Sequence, residues 1–440
     1  GKLDSFVPNS ATYQTDPNGD LTAVRDFTED NAIRRAWIPF TDEERRFNER
    51  ENGGPGANPT PISTTEAFLF VPLVYVNSQP TANEALFSDR GLGLISIHAT
   101  PSGPLATRHG STIIPGEHIA YGNFAALIGC TTPKSLPDCP PTSDPTVFLF
   151  GMDLHGLQLA SATLSTLFNF SAYTFFDAKT STWSSHPHEP EMTDESAVYL
   201  PGTYTSGSIF FSPYFRTFLL VYMNHDADNK IYIRYLDPRS PRTPPPPPSS
   251  LPTSSTGAAS QAPPPPPPPP PDLTPETLSA LTHYNWSPPQ TLHTTTPPSK
   301  SFNYAAQAHP EFFNRAYYPP SFGAASPWLG GGTVVAPPGD DCSADGRHLL
   351  LSWTVSAEQG RYDVQMASVE FDTLPQGSAF WNGGGDKGGG DGGGGGGGKG
   401  EGGKKSGAGT TCGSGRGVGW KTLYLLPLWV LTYLFSRAAR

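Results

Sequence analysis

The sequence predicts an all-β fold, and two observations lead to that class. Short runs of β-branched and aromatic residues alternate with turn-forming Pro, Asn, Asp and Ser, most clearly in GTYTSGSIFFSPYFRTFLLVYMNHDADNKIYIRYLD at 202–237. In addition, no stretch sustains the 3.6-residue period of an amphipathic helix. Many short strands at fairly regular spacing are typical of a sandwich, a barrel or a propeller, and this pattern alone leaves the three open.

Individual strands are predicted from apolar runs that are bounded by turn-forming residues. In the last strand of the 202–237 stretch, Ile231 and Ile233 alternate with Arg234, so Arg234 should face away from the isoleucines. The predicted strands, in chain order, are 67–76, 93–98, 113–119, 123–128, 146–150, 157–160, 208–211, 218–223, 231–235, 301–308, 348–355 and 362–371.

Two low-complexity tracts divide the 440-residue chain. Residues 239–272 contain long proline runs, which cannot donate hydrogen bonds to a sheet and favour extended polyproline II. Because strand-like sequence resumes afterwards, we interpret 1–238 and 273–375 as two parts of one domain that a disordered insertion interrupts. Residues 376–419 are rich in glycine, most strongly from Asn382 onward, and predict a flexible tether. Residues 420–440 form a hydrophobic tail.

Charge and motif content exclude several classes of function. The net charge is −11 without a basic patch, so nucleic acid is not an expected partner. The glycine runs match phosphate-loop patterns through composition alone, and HPHEPE at 186–191 lies in a proline-rich loop that fixes no metal ligands. No Gly-x-Ser-x-Gly elbow supports a serine nucleophile. We therefore expect no cofactor and no metal ion, and we expect a monomer.

Cysteines and glycosylation signals favour an exported protein. Cys130 and Cys139 close the short loop CTTPKSLPDC, which suits a local disulfide in a secreted protein, although two free thiols remain the alternative. Asn169 and Asn285 each begin an Asn-x-Ser glycosylation signal.

The hydrophobic tail has features of a glycolipid-anchor signal. Its apolar run, 423–435, is shorter than the roughly 20 residues that span a bilayer. Small residues at 406–408, a spacer and a terminal apolar segment fit the anchor signal, whereas the final arginines fit it less well. A membrane tail anchor is the alternative. We expect a secreted or cell-surface protein that attaches to a membrane, if at all, through this tail.

The remaining candidates for catalysis are carboxylates at strand ends. Glycosidic hydrolysis needs one carboxylic acid to protonate the leaving oxygen and a second carboxylate as base or nucleophile. Glu66, Asp153 and Asp226 lie at strand edges among aromatic or glycine residues. Each of them also fits an ordinary turn or surface carboxylate, and Asp153, in FLFGMDLHGLQLA, is the strongest candidate.

A set of short motifs follows a fixed order along the chain: FVPNSATY (6–13), GPLATR (103–108), AYGNFAALI (120–128), FLFGMDLHGLQLA (148–160), the strand-rich segment 206–237, FNYAAQAHP (302–310) and LLLSWT (349–354). In this order they resemble fungal secreted members of the family called domain of unknown function 4185. The resemblance covers most of 1–375, apart from loops, the proline tract and roughly 310–345. It implies a five-bladed β-propeller related to glycoside hydrolases, some of whose bacterial relatives are classed as endo-D-arabinanases.

The resemblance also implies a function and a set of site residues. It implies an extracellular protein that acts on a furanose-containing or other wall polysaccharide, or one that binds such a glycan without cleaving it. Asp153 would be catalytic, and Asn224, Arg234 and Tyr304 would contact sugar hydroxyls.

Two departures from the family pattern bear on activity. An acidic motif of the family would lie before Gly1, so we expect an incomplete first blade and a partner carboxylate upstream of Gly1. In addition, Gln307 stands where the family usually has a histidine.

Overall fold

The chain folds into antiparallel sheets, each built mainly from strands that follow one another in sequence. The computed structural model describes residues 12–14, 24–26, 28–29, 33–34, 50–52, 57–62, 66–76, 87–100, 103–129, 144–188, 197–212, 214–224, 228–242, 278–297, 302–310, 348–357 and 361–371.

Two short hairpins and a first large sheet, blade 1, form the N-terminal part. The hairpins pair β1 (Thr12–Gln14) with β2 (Val24–Asp26), and β3 (Thr28–Glu29) with β4 (Ile33–Arg34). Blade 1 contains β5 (Arg50–Asn52), β6 (Thr60–Pro61), β7 (Glu66–Val76), β8 (Phe87–Thr100) and β9 (Gly103–Ile114).

Blade 2 is a meander that ends in a small additional hairpin. Two 3₁₀ turns, Leu164–Thr166 and Phe170–Ala172, connect its third and fourth strands. Its strands are β10 (Ala125–Gly129), β11 (Thr146–Met152), β12 (Gly156–Thr163), β13 (Thr174–Asp177), β14 (Thr182–Ser184) and β15 (Leu200–Pro201).

Blade 3 contains the 202–237 stretch. Its strands are β16 (Ser206–Ser212), β17 (Thr217–Met223), β18 (Lys230–Pro241), β19 (Tyr284–Trp286) and β20 (Gln290–Thr294), and one short helix, α1 (Ala280–His283), precedes β19. Blade 4 contains β21 (Phe302–His309), β22 (His348–Ala357) and β23 (Arg361–Glu370).

The apolar residues of each blade pack against the next blade on both faces of the sheet. In β11, Val147 and Leu149 pack between blades 1 and 2, whereas Phe148 and Phe150 pack between blades 2 and 3. A third core cluster joins blades 3 and 4. Strands that are buried on both faces read as continuous apolar runs, as β11 and β17 do. Face-to-face packing of successive four-strand meanders is the arrangement of a β-propeller.

The all-β prediction is therefore confirmed, with the sheets in a propeller arrangement. The described residues form four blades rather than the five that were predicted. The reason is that the chain before β5 forms only two-stranded hairpins in its described part, and these do not make a meander.

Most predicted strands are confirmed, but the strand at 113–119 is wrong. β9 ends at Ile114 because Pro115 has no N–H to donate, and the next residues turn back, with the His118 N–H donating to the Pro115 carbonyl at 3.1 Å. Sequence reasoning missed most of β9 because its glycines, Gly103 and Gly110, and its proline, Pro104, resemble turn sequence.

A cluster around Tyr199 fixes the junction of blades 2 and 3. Its hydroxyl donates to the Leu281 carbonyl at 2.9 Å and accepts from the Trp286 indole N–H at 2.8 Å. The Arg242 guanidinium lies 4.6 Å from the Tyr199 ring centre and donates to the carbonyls of Tyr199 (3.0 Å) and Tyr284 (3.2 Å). The Arg242 backbone N–H also donates to the His283 carbonyl at 2.7 Å. These contacts anchor the chain immediately before and after residues 243–277.

The first strands of the blades, β6, β10, β16 and β21, pack beside one another as inner strands. They run in the same direction. Gly207, near the start of β16, lies against Phe124, which directly precedes β10, and Asn303, near the start of β21, lies beside Asn229, which directly precedes β18. We call the end where the inner strands begin the upper end of the propeller.

Candidate functional site

A network of neutral polar side chains crosses between the inner strands. The Asn58 amide donates to the Ala308 carbonyl at 2.7 Å and to the Ser208 hydroxyl at 3.4 Å. The Ser208 hydroxyl donates to Gln307 Oε1 at 2.8 Å and accepts from the Ala308 N–H at 3.0 Å. Blades 1, 3 and 4 are thus tied together at the centre. Gln307 is part of this network.

Several buried oxygens at the upper end have no hydrogen-bond partner among the described residues, and three of them lie at the starts of inner strands. They are Asn123 Oδ1, Ser206 Oγ and Asn303 Oδ1, on side chains with exposed fractions of 5%, 7% and 5%. They occupy corresponding places, at or next to the start of the inner strands of three successive blades. Buried polar atoms in folded proteins nearly always have a partner, so these oxygens are candidates for contact with a polar ligand.

The turn that carries Asn123 depends on a glycine. Gly122 has a φ of +92°, and its N–H donates to the Phe150 carbonyl at 3.0 Å. A Cβ at this position would approach the Phe70 ring to 2.5 Å. Glycine therefore lets the turn pack against blade 1 and holds Asn123 at the upper end.

Asn303 and Ser206 lie where blades 3 and 4 meet. The Asn303 amide donates to the Thr295 hydroxyl, which in turn donates to the Asn229 carbonyl at 2.9 Å. On β16, Ser206, Ser208 and Phe210 share the face that packs toward blade 4. The two unpartnered oxygens thus face the same junction from its two sides.

Asp153, the predicted catalytic carboxylate, closes the hairpin turn between β11 and β12. Its Oδ1 accepts the backbone N–H groups of His155 (2.7 Å) and Gly156 (2.9 Å), and its Oδ2 accepts the Gln158 amide at 3.0 Å. The sequence Asp-Leu-His-Gly has the composition of such a turn, with Asp at the first position and Gly at the fourth. The structure gives this carboxylate a turn-stabilising role.

A buried phenol and a buried amide surround Asp153. Tyr121 and Gln158 are fully buried, and Gln158 Oε1 has no hydrogen-bond partner in the described part of the chain. Burial raises the pKa of Tyr121, and the negative charge of Asp153 raises it further. Tyr121 therefore stays protonated at any physiological pH.

Arg234 lies among tyrosines at the junction of blades 2 and 3, close to the upper end. As predicted, it faces away from Ile231 and Ile233, which pack toward blade 4. Its Nε donates to the Tyr222 hydroxyl at 3.3 Å, and its guanidinium carbon lies 5.9 Å from that ring centre. Tyr222 stacks on Tyr232 with ring centres 5.5 Å apart.

The other predicted binding residues differ in position. Asn224 directly follows β17 at the upper end and is half-buried. Tyr304 is buried in β21, with its ring 5.6 Å from that of Phe302. Glu66 lies at the opposite end of blade 1, 3.6 Å from His98, and burial raises its pKa. The structure thus brings Asn224 and Arg234 to the same blade, while Glu66 is remote from them.

The two predicted glycosylation sites have different surroundings. Asn169 is exposed and accepts a hydrogen bond from Ser171 at 2.6 Å. Asn285 is half-buried, and its amide donates to the Ser240 hydroxyl at 3.2 Å and the Pro241 carbonyl at 3.3 Å. A glycan on Asn285 would have to displace these contacts, so the surroundings favour Asn169.

Several predictions lie outside the described residues. These are the Cys130–Cys139 disulfide, the carboxylate of Asp226, residues 243–272 of the proline tract, the glycine-rich tract 376–419 and the hydrophobic tail 420–440. The first residues of the predicted disordered insertion, 239–241, instead belong to β18, because this strand pairs with the neighbouring strand β19 as far as Pro241. Within the described ranges, none of the helices has the length and apolar character to cross a bilayer. The same ranges hold no group of three or more His, Cys, Asp or Glu side chains that could bind a metal ion.

Comparisons with known proteins add little to these findings. No protein-family model and no curated protein matches the chain. Among solved structures, the chain is similar to a putative hydrolase from Bacteroides ovatus, with 13% identity and a TM-score of 0.33. The match covers 51% of this chain and 55% of that one. The family resemblance therefore stays a prediction.

Asn123, Ser206 and Asn303 were not recognised from the sequence. Asn123 and Ser206 stand beside glycines and look like ordinary turn residues, whereas Asn303 lies between two aromatic residues of a predicted strand. Nothing in the sequence shows that their oxygens lack partners. Only the positions of these three residues could be predicted, because each lies at or next to the start of a strand that the apolar pattern of the sequence predicts.

Proposed function

We propose that the chain is an extracellular carbohydrate-binding propeller of the family it resembles, and that it holds a saccharide at its upper end without cleaving it. The observation that carries this proposal is the set of three buried, unpartnered oxygens on Asn123, Ser206 and Asn303. A sugar hydroxyl donates one hydrogen bond and accepts others, so successive hydroxyls of a saccharide would satisfy such acceptors.

The energetics favour a ligand rich in hydroxyl groups. A buried polar atom without a partner costs about 1–3 kcal/mol, and a ligand that donates to it removes that cost. The groups are amides and a hydroxyl, so they suit an uncharged donor. The partly exposed ring of Tyr232, which stacks on the buried Tyr222, offers the amphipathic aromatic surface on which sugar faces pack. A polysaccharide or oligosaccharide is therefore the partner we propose.

The upper-end carboxylates favour binding over hydrolysis. Hydrolysis requires two carboxyl groups with oxygens available to the glycosidic bond and to water or the anomeric carbon. Asp153 uses its oxygens to accept three hydrogen bonds within its own hairpin. Asp228, in the hairpin between β17 and β18, accepts from the Lys230 N–H and from the Tyr232 hydroxyl. Among the described residues, these two carboxylates therefore stabilise the turns in which they lie.

The test is binding of soluble wall glycans to the full chain, measured by isothermal titration calorimetry with arabinan, xylan, β-glucan and pectin fragments. Ser206→Ala and Asn303→Ala should weaken the binding of the fragment that the wild type recognises by about tenfold each, because each removes a hydrogen bond. Ser212→Ala is the matched control, since Ser212 is buried on the same strand at its lower end.

Two outcomes would contradict the proposal. If no fragment binds, or if Ser212→Ala weakens binding as much as Ser206→Ala does, the upper end is not a saccharide site. The same samples should release no reducing sugar. Release that disappears in Asp153→Asn while the protein stays folded would instead assign hydrolysis, with Asp153 in the catalytic role.

A further inference from the structure

Arg234 carries a positive charge that the described part of the chain does not balance. The ion pairs of Glu66 with His98 and of Asp237 with Arg239 do not include Arg234. The side chain is half-buried, so water screens it less than it screens a surface arginine. Its one hydrogen bond is from Nε to the Tyr222 hydroxyl at 3.3 Å.

Aromatic rings enclose this guanidinium on one side. Tyr204 packs against Tyr222 with ring centres 4.7 Å apart, and Tyr222 stacks on Tyr232 at 5.5 Å. We call Arg234 with these three rings the arginine–tyrosine cluster. Burial raises the pKa of Tyr204, and the positive charge of Arg234 acts against that rise, which places the charge near the phenol. The Tyr204 phenol therefore stays neutral and does not neutralise the arginine.

The cluster lies at the upper end, beside the proposed saccharide site. Tyr204 is two residues before Ser206, and Tyr222 is paired with Gly207 in the sheet. Tyr232 is the next residue in that register, across from Tyr222. The three tyrosines therefore lie near the level of Ser206 but on the opposite face of blade 3, and Arg234 lies two residues beyond Tyr232, across from Leu220.

We propose that the arginine–tyrosine cluster binds the carboxylate of an acidic sugar, so that the ligand of this propeller is a uronic-acid-containing saccharide. The inference rests on the proposed saccharide function and names its substrate class. A guanidinium binds a carboxylate through two parallel N–H···O bonds, a geometry that its terminal nitrogens offer once Nε is held by Tyr222. Of the three rings only Tyr232 is partly exposed, so Tyr232 supplies the stacking surface for the sugar that carries that carboxylate.

One nearby carboxylate sets the direction from which the ligand approaches. Asp228 accepts the Tyr232 hydroxyl and the Lys230 N–H, so its charge is held in the β17–β18 turn beyond Tyr232. An acidic ligand would avoid this turn and reach Arg234 from the side of Tyr204. The protein as a whole carries a net charge of −11, so binding at Arg234 must be local and should weaken only moderately with added salt.

The experiment compares oligogalacturonate with the same oligosaccharide after its carboxylates have been reduced to primary alcohols. Both are titrated into the full chain and into Arg234→Gln, Arg234→Lys and Arg239→Gln. Arg239 is the matched control because it lies on the same strand and is already paired with Asp237 at 3.1 Å. Thermal melting of each variant shows that it is folded.

The wild type should bind the acidic form about ten- to a hundredfold more tightly than the reduced form, as expected for a hydrogen-bonded charge pair. Arg234→Gln should lose this preference while it keeps its affinity for the reduced form. Arg234→Lys should keep part of the preference for the acidic form, and Arg239→Gln should keep the whole preference. Equal affinity for the two forms, or a preference that survives Arg234→Gln, overturns this inference but leaves the saccharide site intact. Failure to bind either form, together with every glycan fragment, overturns the saccharide function itself.

Discussion

Replacement of Asp153 by alanine and by asparagine separates a turn-stabilising carboxylate from a catalytic one. In the structure, this side chain accepts two backbone N–H groups of its own turn and the amide of Gln158. Alanine removes all three hydrogen bonds. Asparagine keeps an acceptor for the two N–H groups, and its own amide can donate to Gln158 Oε1 if the Gln158 amide turns over.

The expected magnitudes follow from these contacts. A hydrogen bond contributes about 1 kcal/mol net, and a buried donor that loses its partner costs about 1–3 kcal/mol. Because Gln158 is fully buried, Asp153→Ala should lower the free energy of unfolding by about 3 kcal/mol. Asp153→Asn should lower it by only about 1 kcal/mol, since the turn keeps its acceptor.

Equilibrium urea denaturation of the full chain measures both values, with the midpoint shifting at constant slope. Asp177 provides the matched control, because it accepts the N–H groups of Lys179 (2.8 Å) and Thr180 (3.1 Å) in an exposed turn. Asp177→Ala should therefore cost less than Asp153→Ala. Equal effects of Asp153→Ala and Asp153→Asn, or an Asp153→Ala effect no larger than that of Asp177→Ala, would refute the turn argument.

Two further predictions concern stability. Arg242→Ala should lower the free energy of unfolding by about 3 kcal/mol, because two hydrogen bonds and a cation–π contact are lost. Arg239→Ala should cost less than about 1 kcal/mol in the same urea titration, since its pair is near the surface. Burial lowers the pKa of His109 in the folded protein. Below about pH 6.5, the ordinary pKa of histidine, the unfolded chain therefore binds a proton at His109 more readily than the folded chain does, and the free energy of unfolding falls as the pH drops. His109→Gln should therefore flatten the fall in melting temperature between pH 7.5 and 5.5, and an unchanged slope would contradict this reading.

The strands of blade 3 were predictable because local chemistry determines them. The runs at 208–211, 218–223 and 231–235 became β16, β17 and β18, each a little longer at its ends. Alternation along β18 also predicted that Arg234 faces away from Ile231 and Ile233. These properties depend on the alternation of side chains along a strand and on the turn-forming residues between strands, and both can be read from the sequence.

The number of blades and the composition of the site depend on contacts that sequence patterns do not contain. The sequence pattern of a four-strand meander is the same in a propeller of four or of five blades, because the number of blades is set by how the first and last blades meet. Asn58, for example, reaches Ser208 and Ala308 across the centre. Likewise, the oxygens of Ser206 and Asn303 are distinctive only because none of the described residues reaches them with a hydrogen-bond donor.

Asp153 shows a signal that sequence reasoning could have used. The residues Asp153 to Gly156 have the composition of a tight turn, and that alone predicts a carboxylate occupied by backbone N–H groups. The functional interpretation came instead from its place between two apolar strands. A carboxylate at a strand end is therefore better tested first as a turn residue.

The backbone hydrogen bond between Arg242 and His283 makes this edge of blade 3 a place where the chain tolerates change in length. With both flanks held at the Tyr199 cluster, the segment between them closes a loop whose ends are already fixed together. Doubling such a loop costs only about 0.6 kcal/mol of closure entropy. Residues 243–277 could therefore be shortened, extended or replaced by a reporter domain while blades 2 and 3 keep their junction.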